Sequence, residues 1–151
     1  MRKWNIFLCA FLLVSAATPE RWIGTWKLNP AKSRFQSGPI PKNRTLSFQE
    51  VADGVKGVSD LLDEMGSVHI EFTAKYDGKD VAMRGTPQGY TIAFMKVDAN
   101  SFDTLQKTDG KVTLTTRFLV SRDGKTLTAA AVGSDPGGVK FTNVSVYDRQ
   151  P

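Results

Sequence analysis

From residue 20 onward the chain consists of short runs in which apolar and polar residues alternate, each ended by a turn signal, at intervals of about ten residues. This pattern excludes most folds, because a period of two cannot serve a helix and short strands joined by tight turns leave no room for crossover helices. Asp77-Gly78, Asp109-Gly110 and Asp123-Gly124 are each followed by lysine. Asp-Gly accepts the positive φ angles of a type I′ turn, whose twist matches that of the strands it joins. Strands are predicted over 22–28, 43–51, 54–60, 67–76, 80–84, 90–97, 101–107, 111–120, 125–132 and 139–148. A meander this long has two aggregation-prone edges, and closing it removes both. The predicted fold class is all-β, a single up-and-down antiparallel β-barrel of about 8–10 strands in meander topology.

The alternation also assigns the faces. Val68, Ile70, Phe72, Ala74 and Tyr76 share one side of their run, opposite Ser67, His69, Glu71, Thr73 and Lys75. Val112, Leu114, Thr116, Phe118 and Val120 share one side of theirs, and Trp22, Gly24, Trp26 and Leu28 lie together on the first strand. With no helices to cover an outer layer, the apolar face becomes the interior. The last strand is ambiguous, with Phe141, Asn143, Ser145 and Tyr147 on one face and Thr142, Val144 and Val146 on the other; the first set is favoured as inward, with Tyr147 near Trp22 and Asn143 near Trp26. The connection at 29–42 is longer than the others. Asn29 and Pro30 suit an N-cap and first turn, so a short helical turn is expected over 30–34. Two readings of 30–42 stand: a lid over one mouth, or a loop that plugs one end with Phe35.

The first residues carry Arg2 and Lys3, then an apolar run from Ile6 to Val14 that is too short to span a bilayer, then small residues. This is the layout of a secretory signal peptide over 1–17, with a mature domain over 21–150 that is secreted or periplasmic and has no membrane span. The only cysteine, Cys9, would leave with it, which removes disulfides and thiolate chemistry from the mature chain. Removing Arg2 and Lys3 leaves 18 basic against 15 acidic residues, a net +3 with the signs interleaved. That excess is too small and scattered for a nucleic-acid partner.

The stretch RWIGTWKLNP at 21–30 places Gly24-Thr25-Trp26 in the first strand. It resembles the G-x-W signature of the calycin superfamily of lipocalins, fatty-acid-binding proteins and avidins. GTWKL is similar to the start of a fatty-acid-binding protein, and the closing VYD to the end of its final strand. WIGTWKLNPAKSRF, EFTAKYDGKD, SRDGKTLT and NVSVYDRQ resemble a group of small exported bacterial lipocalin-like proteins. The resemblance implies a barrel whose closed end is packed by Trp26 over Gly24, with Arg149 or Arg117 against the tryptophan. Fatty-acid-binding proteins hold a ligand carboxylate with Arg-x-Tyr near the end of the last strand, where this chain has Ser145-Val146-Tyr147. A neutral or weakly polar ligand is therefore expected, since a buried carboxylate without a cation is costly. The paired portal helices of that family have no room in 29–42.

Motifs for catalysis are absent: there is no phosphate-binding glycine loop and no paired-cysteine site. His69 is the only histidine, which excludes multi-histidine metal sites and hydrolytic triads. It falls on the polar face beside Glu71 and Lys75, which reads as a surface histidine; a single haem ligand is the alternative. Asp63 and Glu64 read as a solvated turn, and the Asn43 and Asn143 glycosylation patterns match chance expectation. The expected function is non-enzymatic and monomeric: binding of a small, mostly apolar molecule, with no cofactor and no metal. Trp26, Phe72, Phe94 and Phe118 would line the cavity, and Ser145 and Tyr147 would supply polar contacts. The alternative is a filled barrel whose outer surface binds an envelope protein or polysaccharide, with a haem-binding or isomerase-type barrel behind it.

Overall fold

The computed structural model describes residues 19–151 apart from Pro39 and Pro136. The segment read as a signal peptide lies outside the described residues. Ten strands follow in order: β1 (Gly24–Leu28), β2 (Asn43–Val51), β3 (Gly54–Asp63), β4 (Gly66–Lys75), β5 (Asp80–Ala82), β6 (Tyr90–Lys96), β7 (Ser101–Thr108), β8 (Lys111–Val120), β9 (Thr126–Ser134) and β10 (Lys140–Arg149). They form one antiparallel sheet of order β4-β3-β2-β1-β10-β9-β8-β7-β6-β5. Sequence neighbours pair along each arm of that order, and the first strand pairs with the last. The predicted up-and-down barrel is therefore present, with ten strands.

Its closure differs from expectation in two places. β1 meets β10 with Trp26 opposite Arg149 and Leu28 opposite Tyr147, not Trp22 near Tyr147 and Trp26 near Asn143. The shift arises because β1 starts at Gly24, at φ +131°, and Trp22 precedes it in a turn. Trp22 thus enters the barrel from its end instead of standing on the strand. The second difference is a seam. Between β4 and β5 the ladder shrinks to one isolated bridge, Glu71 with Arg84, so the barrel is nearly closed. β5 has three residues, and the chain then leaves the sheet through Gly85 at φ +81°, Pro87 and Gly89 at φ +91°.

Only Asp109-Gly110 has the two positive φ angles of a type I′ turn, +49° and +78°. At the other two Asp-Gly sites the glycine alone is left-handed, and the aspartate carboxylate accepts from the backbone N–H of Lys79 (3.1 Å) or Lys125 (3.0 Å). The side chain supplies there what the backbone supplies in the hairpin turn.

The long connection forms part of the wall, and of its two readings the structure favours the one that sets Phe35 against the core. After a 3-10 turn at Pro30–Lys32 capped by Asn29, the chain runs along the free edge of β10 beyond the end of β1. Arg34 and Val144 exchange backbone hydrogen bonds of 2.7 and 2.8 Å. Asn143 Oδ1 accepts from Gln36 N (2.7 Å), and its Nδ2 donates to Ser37 O (2.9 Å). Residues 33–37 thereby continue the wall that β1 leaves short, and Phe35 packs, partly buried, against the core.

Candidate ligand-binding site

Up-and-down topology places the β1–β2, β3–β4, β5–β6, β7–β8 and β9–β10 connections at one end, here the mouth, and the remaining turns at the other, the floor. The floor is a packed aromatic mass. Phe94 stacks on Phe102 (centroids 4.5 Å) and Phe102 on Phe118 (4.4 Å). Trp22 stands edge-on to Phe48 and Tyr76, at 6.3 and 5.9 Å. Such pairs add about 0.5–1.5 kcal/mol each beyond the area they bury. Trp22, Trp26, Phe94, Phe102 and Leu127 are fully buried, so no water-sized void touches them. The indole N–H of Trp26 donates to Trp22 O (2.9 Å), whereas the buried Trp22 Nε1 has no partner among the described residues.

Arg149 seals this floor from outside. Its guanidinium lies 4.1 Å over the Trp26 ring and donates to the carbonyls of Gly124 (2.8 Å), Ile23 (3.0 Å) and Arg21. Burial, with Arg21 nearby, pulls its pKa below the usual arginine value. Gly24 makes this contact possible: a Cβ there would sit 2.8 Å from Arg149 Nη1. Arg117 is on the outer face, paired with Asp103, and takes no part.

Above the floor the same inner faces change character. Ser59, Leu61 and Ile70 are only half-buried, as are Leu114, Phe141 and Ser145, and Val68 is exposed. The ladders fix these residues as inward-facing. Leu61 pairs with Val68 and Ser59 with Ile70, in step with Gly57 opposite Phe72. Gly133 holds its place because a Cβ would meet Phe141 Cζ at 2.7 Å and Leu114 Cδ1 at 2.9 Å. Val68 and Ile70 stand on β4 at the seam, but Leu114, Phe141 and Ser145 are on strands away from it and can meet solvent only through open interior space. The upper half of the barrel is therefore open at the mouth.

The six expected ligand residues fall at two levels. Phe72, Phe118 and Ser145 are half-buried, between floor and opening, whereas Trp26, Phe94 and Tyr147 are buried in the floor itself. Tyr147 faces inward, as its pairing with Leu28 and Leu127 requires. Sequence reasoning passed over Arg44. It alternates with Leu46 and Phe48 on β2, so it points inward, and its Nε donates to Ser59 Oγ (3.1 Å). The period of two carried that signal.

A second opening lies at the seam. A cleft of about 400 Å³ between β4 and β5 is floored by Phe72 and Val81 and edged by Lys56, Glu71, Thr73 and Arg84. On the outer wall beside it, His69 joins Asp60 (Nδ1, 2.6 Å) to Glu71 (Nε2, 3.0 Å), and Lys56 pairs with Glu71 at 3.2 Å. Hydrogen bonds to Glu71 and then Asp60 raise the His69 pKa, and the same contact lowers that of Glu71. His69 is exposed and committed to two carboxylates, not turned inward. No group of three or more potential metal ligands occurs among the described residues. Asp63 departs from the expected solvated turn: it is buried, and its carboxylate accepts from Met65 N at 2.7 Å.

No protein-family model and no curated protein matches the chain. Solved structures do resemble it. A secretory abundant heat soluble protein from Ramazzottius varieornatus superposes with a TM-score of 0.62 at 11% identity, over 88% of this chain and 98% of that one. A Schistosoma mansoni fatty acid binding protein in complex with arachidonic acid gives 0.55 at 16% identity, over 87% and 97%. As-p18, an extracellular fatty acid binding protein, gives 0.53 at 18% identity, over 87% and 98%. At these identities the likeness establishes the fold: a calycin-like barrel of the fatty-acid-binding-protein type.

Proposed function

We propose that this chain is an exported, non-enzymatic barrel of the small bacterial lipocalin-like type, with a signal peptide over 1–17. Its domain over 21–150 binds a small, mostly apolar molecule in the upper half of the interior. One observation carries the reading: Ile92, Thr104 and Thr116, directly above the Phe94–Phe102–Phe118 stack, are still buried, but nearer the mouth Ser59, Leu61, Leu114, Phe141 and Ser145 are half-buried and Val68 is exposed. Phe72 and Phe118 provide the apolar base of the site, resting on Trp26 and Phe94. Ser145, Ser59 and Arg44 supply polar contacts on the walls, and Tyr147 does so from beneath. This make-up, apolar walls with a few polar groups, is that of small-molecule sites generally. The fatty acid binding proteins of similar fold add support for an apolar ligand. Arg44 allows a head group with a partial or full negative charge, despite Ser145 standing where Arg-x-Tyr would place its arginine.

Native mass spectrometry of the protein purified from its own cell envelope tests this directly. The expected result is a discrete excess mass that disappears on denaturation and is lost in Ser145→Leu, which fills the space beside Ala129. A bare polypeptide mass that takes up nothing from a lipid extract would overturn it. Attention would then turn to the outer wall as the surface for an envelope protein or polysaccharide.

A further inference from the structure

The seam leaves main-chain groups without partners. Glu71 and Arg84 exchange backbone hydrogen bonds of 3.1 and 2.8 Å, so both direct their peptide groups into it. Along an antiparallel strand alternate residues point the same way. The N–H and C=O groups of Thr73 and Lys75 on β4, and of Asp80 and Ala82 on β5, are therefore aimed into the same gap. Among the described residues no ladder takes them up, because β4 pairs with β3 and β5 with β6. The gap is closed at both ends. The Glu71–Arg84 bridge shuts one, and the Asp77-Gly78 turn, where Gly78 N donates to Phe94 O (3.1 Å), shuts the other. What stays open lies between residues 72–75 and 80–83, about 13 Å of strand edge.

The side chains around this gap enclose the cleft of about 400 Å³. Phe72 and Val81 belong to the inner face yet line it, so its bottom is apolar and is reached through the gap. The rim is polar, with one cation to spare. Lys56 and Glu71 neutralise each other at 3.2 Å, and Thr73 adds a hydroxyl. Arg84 is exposed and joins no ion pair among the described residues; neither do Lys75 and Lys79, next along the seam.

We propose that the seam cleft binds a small aromatic monocarboxylate, about the size of benzoate. The ring lies on Phe72 and Val81. The carboxylate takes the guanidinium fork of Arg84 and the unpaired peptide N–H groups of Thr73 and Ala82, the donors that such an anion requires. One spare cation suits a monoanion better than a phosphate dianion, and the closed ends leave no length for a long acyl chain. The cleft opens on the outer wall, and of the residues named for the interior site it shares only Phe72. Binding here needs no interior ligand, so this proposal and the interior one fail separately.

Titration of the isotope-labelled protein with sodium benzoate, followed through its amide NMR spectrum, tests the proposal. Saturable shifts are expected at the amides of Thr73, Ala82 and Arg84, with a dissociation constant on the order of 1 mM for so small a ligand. Arg84→Gln keeps the backbone bridge but loses the charge-assisted pair, and is expected to weaken binding by at least about tenfold. Lys125→Gln, on the far wall, is expected to change nothing, and uncharged benzyl alcohol to leave those amides unmoved. The absence of saturable shifts at the seam overturns the proposal. So does their loss in Arg44→Gln but not in Arg84→Gln, which would place benzoate in the interior. Equal shifts with sodium sulfate would overturn it as well, by reducing the cleft to a general anion site.

Discussion

Replacing Gly57 by alanine puts one methyl group where the structure has no room for it. Gly57 is buried on β3 opposite Phe48 on one side and Phe72 on the other. A Cβ there would lie 2.3 and 2.4 Å from Cε1 and Cζ of the Phe72 ring, well inside contact distance. The ring must turn away, but Phe94 stands beside it at a centroid distance of 6.3 Å. Alanine restricts the unfolded chain, which is worth about 0.5–1 kcal/mol in favour of folding. Forcing a methyl into packed surroundings costs about 1–3 kcal/mol. A net destabilisation of about 1 kcal/mol follows. The assay is guanidinium unfolding followed by tryptophan fluorescence, with Gly57→Ala measured alone and together with Phe72→Ala. In the Phe72→Ala background the clash is gone, and the same substitution is expected to stabilise by about 0.5 kcal/mol. Equal effects in both backgrounds, or a more stable single variant, would refute the reasoning.

Three further outcomes are expected. Arg149→Met removes the cation over Trp26 and three carbonyl bonds at a partly exposed site, and should lower stability by about 1–3 kcal/mol in the same assay. His69 has a raised folded pKa, so its bridge to Glu71 and Asp60 stabilises fully below the unfolded value of 6.5 and fades as pH rises through the folded value. Thermal melts across that window should show wild type losing its advantage over His69→Gln on the alkaline side; a constant difference would contradict the bridge. Asn143→Ala frees the wall segment, and the amides of Gln36 and Ser37 should exchange with deuterium at least about fivefold faster while those of β8 stay unchanged.

Strand number, order and facing were legible because they depend on a period of two and on turn residues, both local properties. The alternation through Val68, Ile70 and Phe72 marked an inner face, whereas on the last strand Thr142, Val144 and Val146 competed with the Phe141 to Tyr147 set. The closing register was not legible, since it depends on where β1 starts. Trp22 and Trp26 read as one face of one strand, yet the left-handed Gly24 divides a turn residue from a strand residue. The role of 29–42 was hidden for a similar reason. Its partner is the free edge of β10, which exists only because β1 is five residues long. The seam escaped notice because nothing in 80–84 announces that pairing stops at Ala82. Within the candidate site, aromatic residues were found readily but not sorted by depth. Phe94 and Phe118 look alike in sequence, and only the three-dimensional stack places one beneath the other's level of exposure.

The seam also bears on where this chain can be cut. The first and last strands meet at the middle of the sheet, where β1 and β10 join residues roughly 120 positions apart, a closure whose entropic cost is met before the contacts form. Across the seam the covalent link at Asp77-Gly78 and the Glu71–Arg84 bridge are what hold β4 to β5. A circular permutant with β10 linked directly to β1 and new ends opened at Asp77-Gly78 would number its strands straight across the sheet, from one lip of the seam to the other. Every ladder in it would then join sequence neighbours, and the slow long-range pairing would become a hairpin.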